Sequence, residues 1–219
     1  MKFSNVYTII SDLDGTLVWQ KPAFLSITVG ETLRQLGRPY DAEFARKFWY
    51  GSNRDKLISR TLGIPYMDFW EIFWRVDTPE IRVAFMEVDP DVEVLRELQQ
   101  TKGMRIGIDT NTLPDIAYAE IKEIKRKFPG IEFKSVVPND PDDIIMHKPF
   151  GISVFVCQHQ LEARNTEAIY LGDGYEDALS AKKADIPAVI LRRNYNREIN
   201  FGPDVTLIDS LQDLKKMLV

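Results

Sequence analysis

The stretch Tyr7-Thr8-Ile9-Ile10-Ser11-Asp12-Leu13-Asp14-Gly15-Thr16 decides the fold. Its first half is short and strand-like, and its second half carries two acids in alternation before a glycine. Average residue usage produces Asp-x-Asp-Gly-Thr at roughly one position in a hundred thousand. A turn after a strand accounts for Gly15, because Asp and Gly favour turns. It does not account for two alternating acids at the end of a buried strand. In a parallel sheet, ligands gather at the carboxyl ends of the strands. Asp12 and Asp14 fall at such an end.

Working outward, the same unit recurs. Short apolar runs at residues 7–11, 104–108, 133–137, 168–171, 188–191 and 205–208 read as strands buried on both faces. Helical periodicity lies between them, as in Val92, Leu95 and Leu98, or Ile116, Ile121 and Ile124. Strand-helix alternation predicts an α/β fold with a doubly wound, parallel, Rossmann-like sheet.

Residues 18–88 break the pattern and show no convincing strand. Aromatic and apolar residues recur there at helical spacing, as in Phe44, Phe48 and Trp49, and in Phe69, Trp70, Phe73 and Trp74. Glycine and proline punctuate the segment at 37–39, 51–53 and 63–65. The reading is a helical cap domain inserted after the first strand, over residues 18–88. Residues 1–17 and 89–219 form the α/β core. The cap aromatics read mainly as a helical core, with lining of a substrate pocket as the second option.

Composition sets further bounds. The chain has 219 residues, 44% of them apolar, with 28 Lys plus Arg against 33 Asp plus Glu, a formal net charge of -5. That balance argues against broad nucleic-acid binding, though not against a small anionic substrate. The single cysteine, Cys157, excludes an internal disulfide and reads as filler on a buried helix face. No signal peptide and no membrane-length apolar stretch is visible, which predicts a cytoplasmic protein with no membrane partner. Monomer and homodimer stay equally open.

Four pieces carry chemistry. Asp12 can act as a nucleophile on a phosphate ester and form an aspartyl-phosphate. Asp14 points to the other face of an extended chain unless the backbone turns, which Gly15 permits. Asp14 could then protonate the leaving oxygen and deprotonate the attacking water. Thr110 and Asn111 follow a strand, and a Thr hydroxyl with nearby N–H groups can hold a phosphoryl oxygen; they equally suit a cap before a helix starting near Pro114. Lys148, in His147-Lys148-Pro149, offers a compact charge for phosphate, with Pro149 expected in the first turn of a helix. Gly172-Asp173-Gly174-Tyr175-Glu176-Asp177 follows another strand. Its acids suit an all-oxygen Mg²⁺ site, and equally a helix N-terminus.

In this order, the four pieces resemble the signature motifs of the haloacid dehalogenase (HAD) superfamily. The motifs are Asp12 to Thr16, Thr110, Lys148, and Gly172 to Asp177. The inserted segment resembles the helical cap of the branch similar to phosphoglycolate phosphatase and β-phosphoglucomutase. The resemblance implies a phosphatase acting on a small phosphorylated metabolite, with Asp12 as nucleophile and Asp14 as acid/base. Mg²⁺ would be held by Asp12, the Asp14 carbonyl and Asp173, with Asp177 in support. Gly15, Thr16, Thr110, Asn111 and Lys148 form the expected phosphate-binding set, with Arg54 as a cap contribution. Pro22 and residues 88–90 are the expected hinges. The chain departs from the branch where Val18-Trp19-Gln20 replaces a common Asp, and where Asp91 and Asp185 replace common glycines.

Two other functions fit parts of the sequence. A phosphomutase is suggested by Gly51-x-x-Arg54, but Phe24 stands where that enzyme has a cap histidine. A noncatalytic binding module would not need the full set of signature side chains.

Overall fold

The computed structural model describes residue 3, residues 5–138 and residues 144–218. The chain begins with β1 (Thr8–Ser11) and β2 (Val18–Gln20). Five helices follow: α1 (Ala23–Gln35), α2 (Ala42–Tyr50), α3 (Arg54–Leu62), α4 (Tyr66–Val76) and α5 (Pro79–Phe85). Then come β3 (Met86–Val88), α6 (Glu93–Lys102), β4 (Arg105–Asp109), α7 (Pro114–Lys127) and β5 (Ser135–Val137). The chain closes with α8 (Ile152–Gln160), β6 (Ala168–Gly172), α9 (Tyr175–Lys183), β7 (Ala188–Leu191), β8 (Thr206–Ile208) and α10 (Gln212–Met217).

Among the described residues, six strands form one parallel sheet in the order β5-β4-β1-β6-β7-β8. This is a Rossmann-like α/β sheet. β1 lies between β4 and β6, with Ile9 opposite both Ile106 and Ile169. Every residue of β1, β6 and β7 is buried, as strands covered on both faces must be. The chain winds to one side of β1 for β4 and β5, and to the other for β6, β7 and β8. Where strand order reverses in such a sheet, ligands gather beyond the carboxyl ends of the strands, here those of β1, β4 and β6. The four chemical pieces follow these three strands or lie in the loop before α8.

The chain divides into two compact units, residues 20–87 and the two flanking segments, 1–19 with 88–219. In the helical unit, Phe44, Phe48, Phe69 and Phe73 are buried together. Their rings meet at centroid distances such as 4.9 Å for Phe48–Phe69 and 5.1 Å for Phe48–Phe73. The helices are delimited by local chemistry. The Asp41 carboxylate accepts from the backbone N–H groups of Glu43 and Phe44 at the start of α2. Gly63, at φ +65°, ends α3 in the left-handed conformation. One charged pair is taken inside: Arg82 Nε lies 2.7 Å from Asp77 Oδ1, and its guanidinium covers the Trp49 ring at 4.6 Å.

Two expectations need correction. Residues 18–88 are not strand-free, because β2 and β3 pair as a two-stranded ribbon at the two ends of that segment. Strands of three residues are too short to display an alternation. Pro149 does not open a helix either. Helix α8 starts at Ile152, after Gly151 at φ +85°. Cys157 does sit on a buried face of α8, fully excluded from water. Among the described residues, no helix is long and apolar enough to cross a membrane.

Candidate active site

The site begins where β1 ends. The Asp12 N–H still donates to Leu171 O at 2.8 Å, so the sheet fixes its backbone. Beyond it the chain turns. Leu17 N–H and Val18 N–H both donate to Leu13 O, and Gly15 N–H donates to Val18 O at 2.7 Å. Gly15 has φ +80°, which a side chain resists. A Cβ on Gly15 would also stand 2.6 Å from both carboxylate oxygens of Asp173. Two requirements, turn and close approach, thus converge on this glycine.

Lys148 reaches the end of β1 from the loop before α8. Its Nζ lies 2.6 Å from Asp12 Oδ1 and 2.7 Å from Asp177 Oδ1, with all three side chains buried. Its backbone is held by Asn111, whose Oδ1 accepts from Lys148 N–H at 2.9 Å. Asn111 therefore steadies the lysine.

Asp177 lies in the first turn of α9. Its Oδ2 accepts from the N–H groups of Asp173, at 3.1 Å, and Gly174, at 2.8 Å. The carboxylate so caps the turn that carries Asp173. Gly172 is required here because a Cβ would collide with Asp177 Cβ at 2.5 Å. Carboxylate oxygens of Asp12, Asp173 and Asp177 all lie within 4.8 Å of one another.

The electrostatics follow from burial. Desolvation raises the Asp12 carboxyl well above its ordinary value, and Asp177 and Asp173 add to the rise while Lys148 opposes it. Burial acts to lower Lys148, but Asp12, Asp177 and Asp109 overcome it and hold the ammonium well above its ordinary value. Asp173 is pushed up to about 6, by burial first and by Asp177 next. Ionised together, these carboxylates would outnumber the one ammonium beside them and leave surplus negative charge out of water, a strained arrangement for protein alone. An all-oxygen donor set with surplus charge fits a hard divalent cation. Asp12 and Asp173 are the fitting direct donors. Both Asp177 oxygens already serve Lys148 and the backbone.

The remaining expected residues fall in several places. Thr110 is buried and its Oγ1 accepts from Thr112 N–H at 3.2 Å. Thr16 gives its hydroxyl to Asp173 Oδ1 at 2.9 Å. Arg54 lies in the helical unit, where its Nη2 donates to Trp49 O at 3.2 Å and its guanidinium covers Phe48. Asp89, in an expected hinge, accepts from Arg193 at 2.8 Å.

Other residues at the site were not anticipated. Thr112 donates its hydroxyl to Asp14 Oδ2 at 2.5 Å. Under the site, the buried Tyr170 hydroxyl donates to Asp109 Oδ2 at 2.9 Å and lies 3.3 Å from Asp177 Oδ1. Burial raises the Asp109 carboxyl, so that group also resists ionising. The loop after β7 adds Arg193, Tyr195 and Asn196. Only the position of that loop, at the same sheet edge as Asp12 and Asp173, could have drawn attention to it.

A parallel sheet with a helical insertion, and a buried Asp-Lys-Asp centre at the switch between strand directions, defines an enzyme of the hydrolase type. Residues 9–191 match the family model described as haloacid dehalogenase-like hydrolase. The chain belongs to that family. A phosphoglycolate phosphatase of Pseudomonas savastanoi pv. phaseolicola is 26% identical over 94% of this chain and 77% of its own length. One from Nitrosococcus oceani is 26% identical over 96% of this chain and 95% of its own length. The crystal structure of CbbY from Rhodobacter sphaeroides in complex with phosphate superposes with a TM-score of 0.74 at 20% identity, over 95% of this chain and 96% of that one. The last likeness is one of fold.

Proposed function

We propose that this enzyme is a Mg²⁺-dependent phosphatase that hydrolyses small phosphate monoesters through an aspartyl-phosphate on Asp12. One observation carries the reading: Lys148 Nζ sits 2.6 Å from Asp12 Oδ1, within a group of carboxylates spaced to share a cation. The phosphatase-type relatives support the reaction class.

In the first step an Asp12 carboxylate oxygen attacks phosphorus, forming an Asp12–phosphoryl bond as the bond to the ester oxygen breaks. Asp14 gives its proton to the leaving alkoxide. In the second step water attacks the phosphoryl group and Asp14 takes the proton back. Orthophosphate leaves and Asp12 is restored. Thr112 holds the Asp14 carboxyl by a hydrogen bond, and so limits its rotation between the two steps. Lys148 screens Asp12 from the incoming anion and neutralises charge on the phosphoryl oxygens. The same lysine needs Asn111 on its backbone to stay in place. Asp12, the Asp14 carbonyl and Asp173 would hold a Mg²⁺, which would supply further charge neutralisation when bound. Asp177 anchors the Asp173 turn. Thr110 and the N–H groups after β4 are the remaining phosphoryl-binding groups.

The substrate class is a small phosphorylated metabolite. Phosphoglycolate is the first compound to try, because curated relatives carry its name. The test is phosphate release from a panel of two-carbon acid phosphates, sugar phosphates and nucleotides, with Mg²⁺ and with Asp12→Asn as control. Steady release by the wild type, lost in the variant, is the expected result. Equal release by both proteins, or none by either across the panel, contradicts the proposal.

A further inference from the structure

The loop after β7 reaches back over the site with three side chains. Asn196 is nearly fully buried, and its Nδ2 donates to Leu191 O at 3.0 Å and to Asp173 O at 2.7 Å. Its Oδ1 accepts from Arg193 N–H at 2.7 Å, which closes the loop on itself. Arg193 donates from Nε to Gly15 O and from Nη2 to Thr16 O, each at 2.8 Å. Its guanidinium also donates to Asp89 Oδ2 at 2.8 Å, and its guanidinium carbon lies 5.2 Å from the Trp19 ring centroid. Tyr195 donates its hydroxyl to Asp173 Oδ2 at 2.6 Å.

The consequence for Asp173 is specific. Thr16 occupies Oδ1 and Tyr195 occupies Oδ2. Two hydroxyl donors on opposite oxygens fix the plane and the rotamer of the carboxylate. Each oxygen keeps a second acceptor site. Thr16 comes from the turn after β1, and Tyr195 from a loop anchored to that same turn by Arg193. The carboxylate is thereby tied to the turn after β1, while Asp177 of α9 holds the backbone of its own turn.

We propose that Tyr195 is a positioning residue that sets the Asp173 carboxylate for the divalent cation. The inference rests on the metal reading above. Mg²⁺ demands near-octahedral geometry at short distance, so a freely rotating ligand weakens it more than it would weaken Ca²⁺. Hydrogen-bond partners of metal ligands typically account for about 10- to 100-fold in metal affinity. In this scheme Tyr195 acts through Asp173, to which its hydroxyl bonds, and takes no part in the phosphoryl transfer itself. Its loss therefore acts on metal occupancy, with the chemical step left intact.

The experiment is calorimetric titration of Mg²⁺ into chelator-treated wild type and Tyr195→Phe, with no substrate present. Tyr195→Phe keeps the ring and removes one oxygen. Tyr195→Met serves if the Phe variant does not fold, and is judged by the same readings. The expected result is a dissociation constant for Mg²⁺ raised about 10-fold or more. The Mg²⁺ concentration for half-maximal phosphate release rises by the same factor, while kcat at saturating Mg²⁺ stays within about threefold of wild type. A folded variant with the wild-type dissociation constant overturns the role of Tyr195 and leaves the metal reading standing. A wild type that takes up no Mg²⁺ overturns both.

Discussion

The two units of the chain handle burial in opposite ways. The α/β unit takes Asp12, Asp109, Lys148, Asp173 and Asp177 out of water at one edge of its sheet. The helical unit fills its interior with Phe44, Phe48, Phe69 and Phe73 and admits one paired charge, Arg82 with Asp77. Buried carboxylates that crowd each other oppose folding and favour ligand binding. Packed rings favour folding and hold no reacting group. Stability and activity are therefore expected to separate by unit, and substitutions can expose that division.

The largest effect is expected at Asp12. Asp12→Asn should reduce turnover at least about a thousandfold, as losing a nucleophile does. It should not lower the unfolding midpoint, because burial already disfavours the Asp12 charge. A variant that stays active, or that loses stability in step with activity, would break the contrast. Asp14→Asn comes next, with a loss of about 10²- to 10⁴-fold in kcat, the usual range for a general acid/base. Undiminished rates there would remove Asp14 from the mechanism.

On the other side of the comparison, Phe48→Ala should cost about 3–5 kcal/mol of stability, the usual range for a buried Phe. Urea unfolding followed by tryptophan fluorescence would read it, since Trp49, Trp70 and Trp74 pack against the same core. A cost below about 1 kcal/mol would show that the ring cluster can collapse around the gap.

A subtler expectation concerns Cys157. Burial pushes its thiol up to about 12, so the reactive thiolate is suppressed at neutral pH. Alkylation of the native protein should proceed only as fast as the chain opens, which timed mass spectrometry can follow. Rapid labelling without unfolding would contradict its burial. The smallest effect is expected at Asp185, which holds φ +55°, in the left-handed region that favours glycine. Relief of the left-handed strain and the added chain entropy of glycine nearly cancel. Asp185→Gly should shift stability by less than about 0.5 kcal/mol in either direction.

The contrast also explains what could be read from the chain itself. Strands buried on both faces left apolar runs, so β1, β4, β6 and β7 were visible within a residue or so. The acids at strand ends were conspicuous because nothing else explains Asp12 and Asp14 in alternation. Asp173 and Asp177 stood out by following another buried strand, although acids at a helix N-terminus would explain them equally well. The ribbon of β2 and β3 was not, since three residues show no period. Arg193, Tyr195 and Asn196 were hidden in a polar stretch, Arg192 to Arg197, that resembles any solvated loop. Their roles come from meeting residues far away in sequence, which local pattern does not encode. The Asp109–Tyr170 pair was hidden inside strands whose apolar character dominated the reading. For Thr16 the motif was plain, but its bond to Asp173 required the fold.

The most direct test of the account is to look for phosphate on Asp12. Asp14→Asn should take the first step slowly and stall before the second, because the group that activates water is gone. Incubated with Mg²⁺ and a substrate ester, quenched in acid and digested, this variant should yield a peptide spanning Asp12 heavier by one phosphoryl group. Reduction with borohydride should mark the same residue. An adduct on another residue, or none while the wild type turns over steadily, would contradict the central claim.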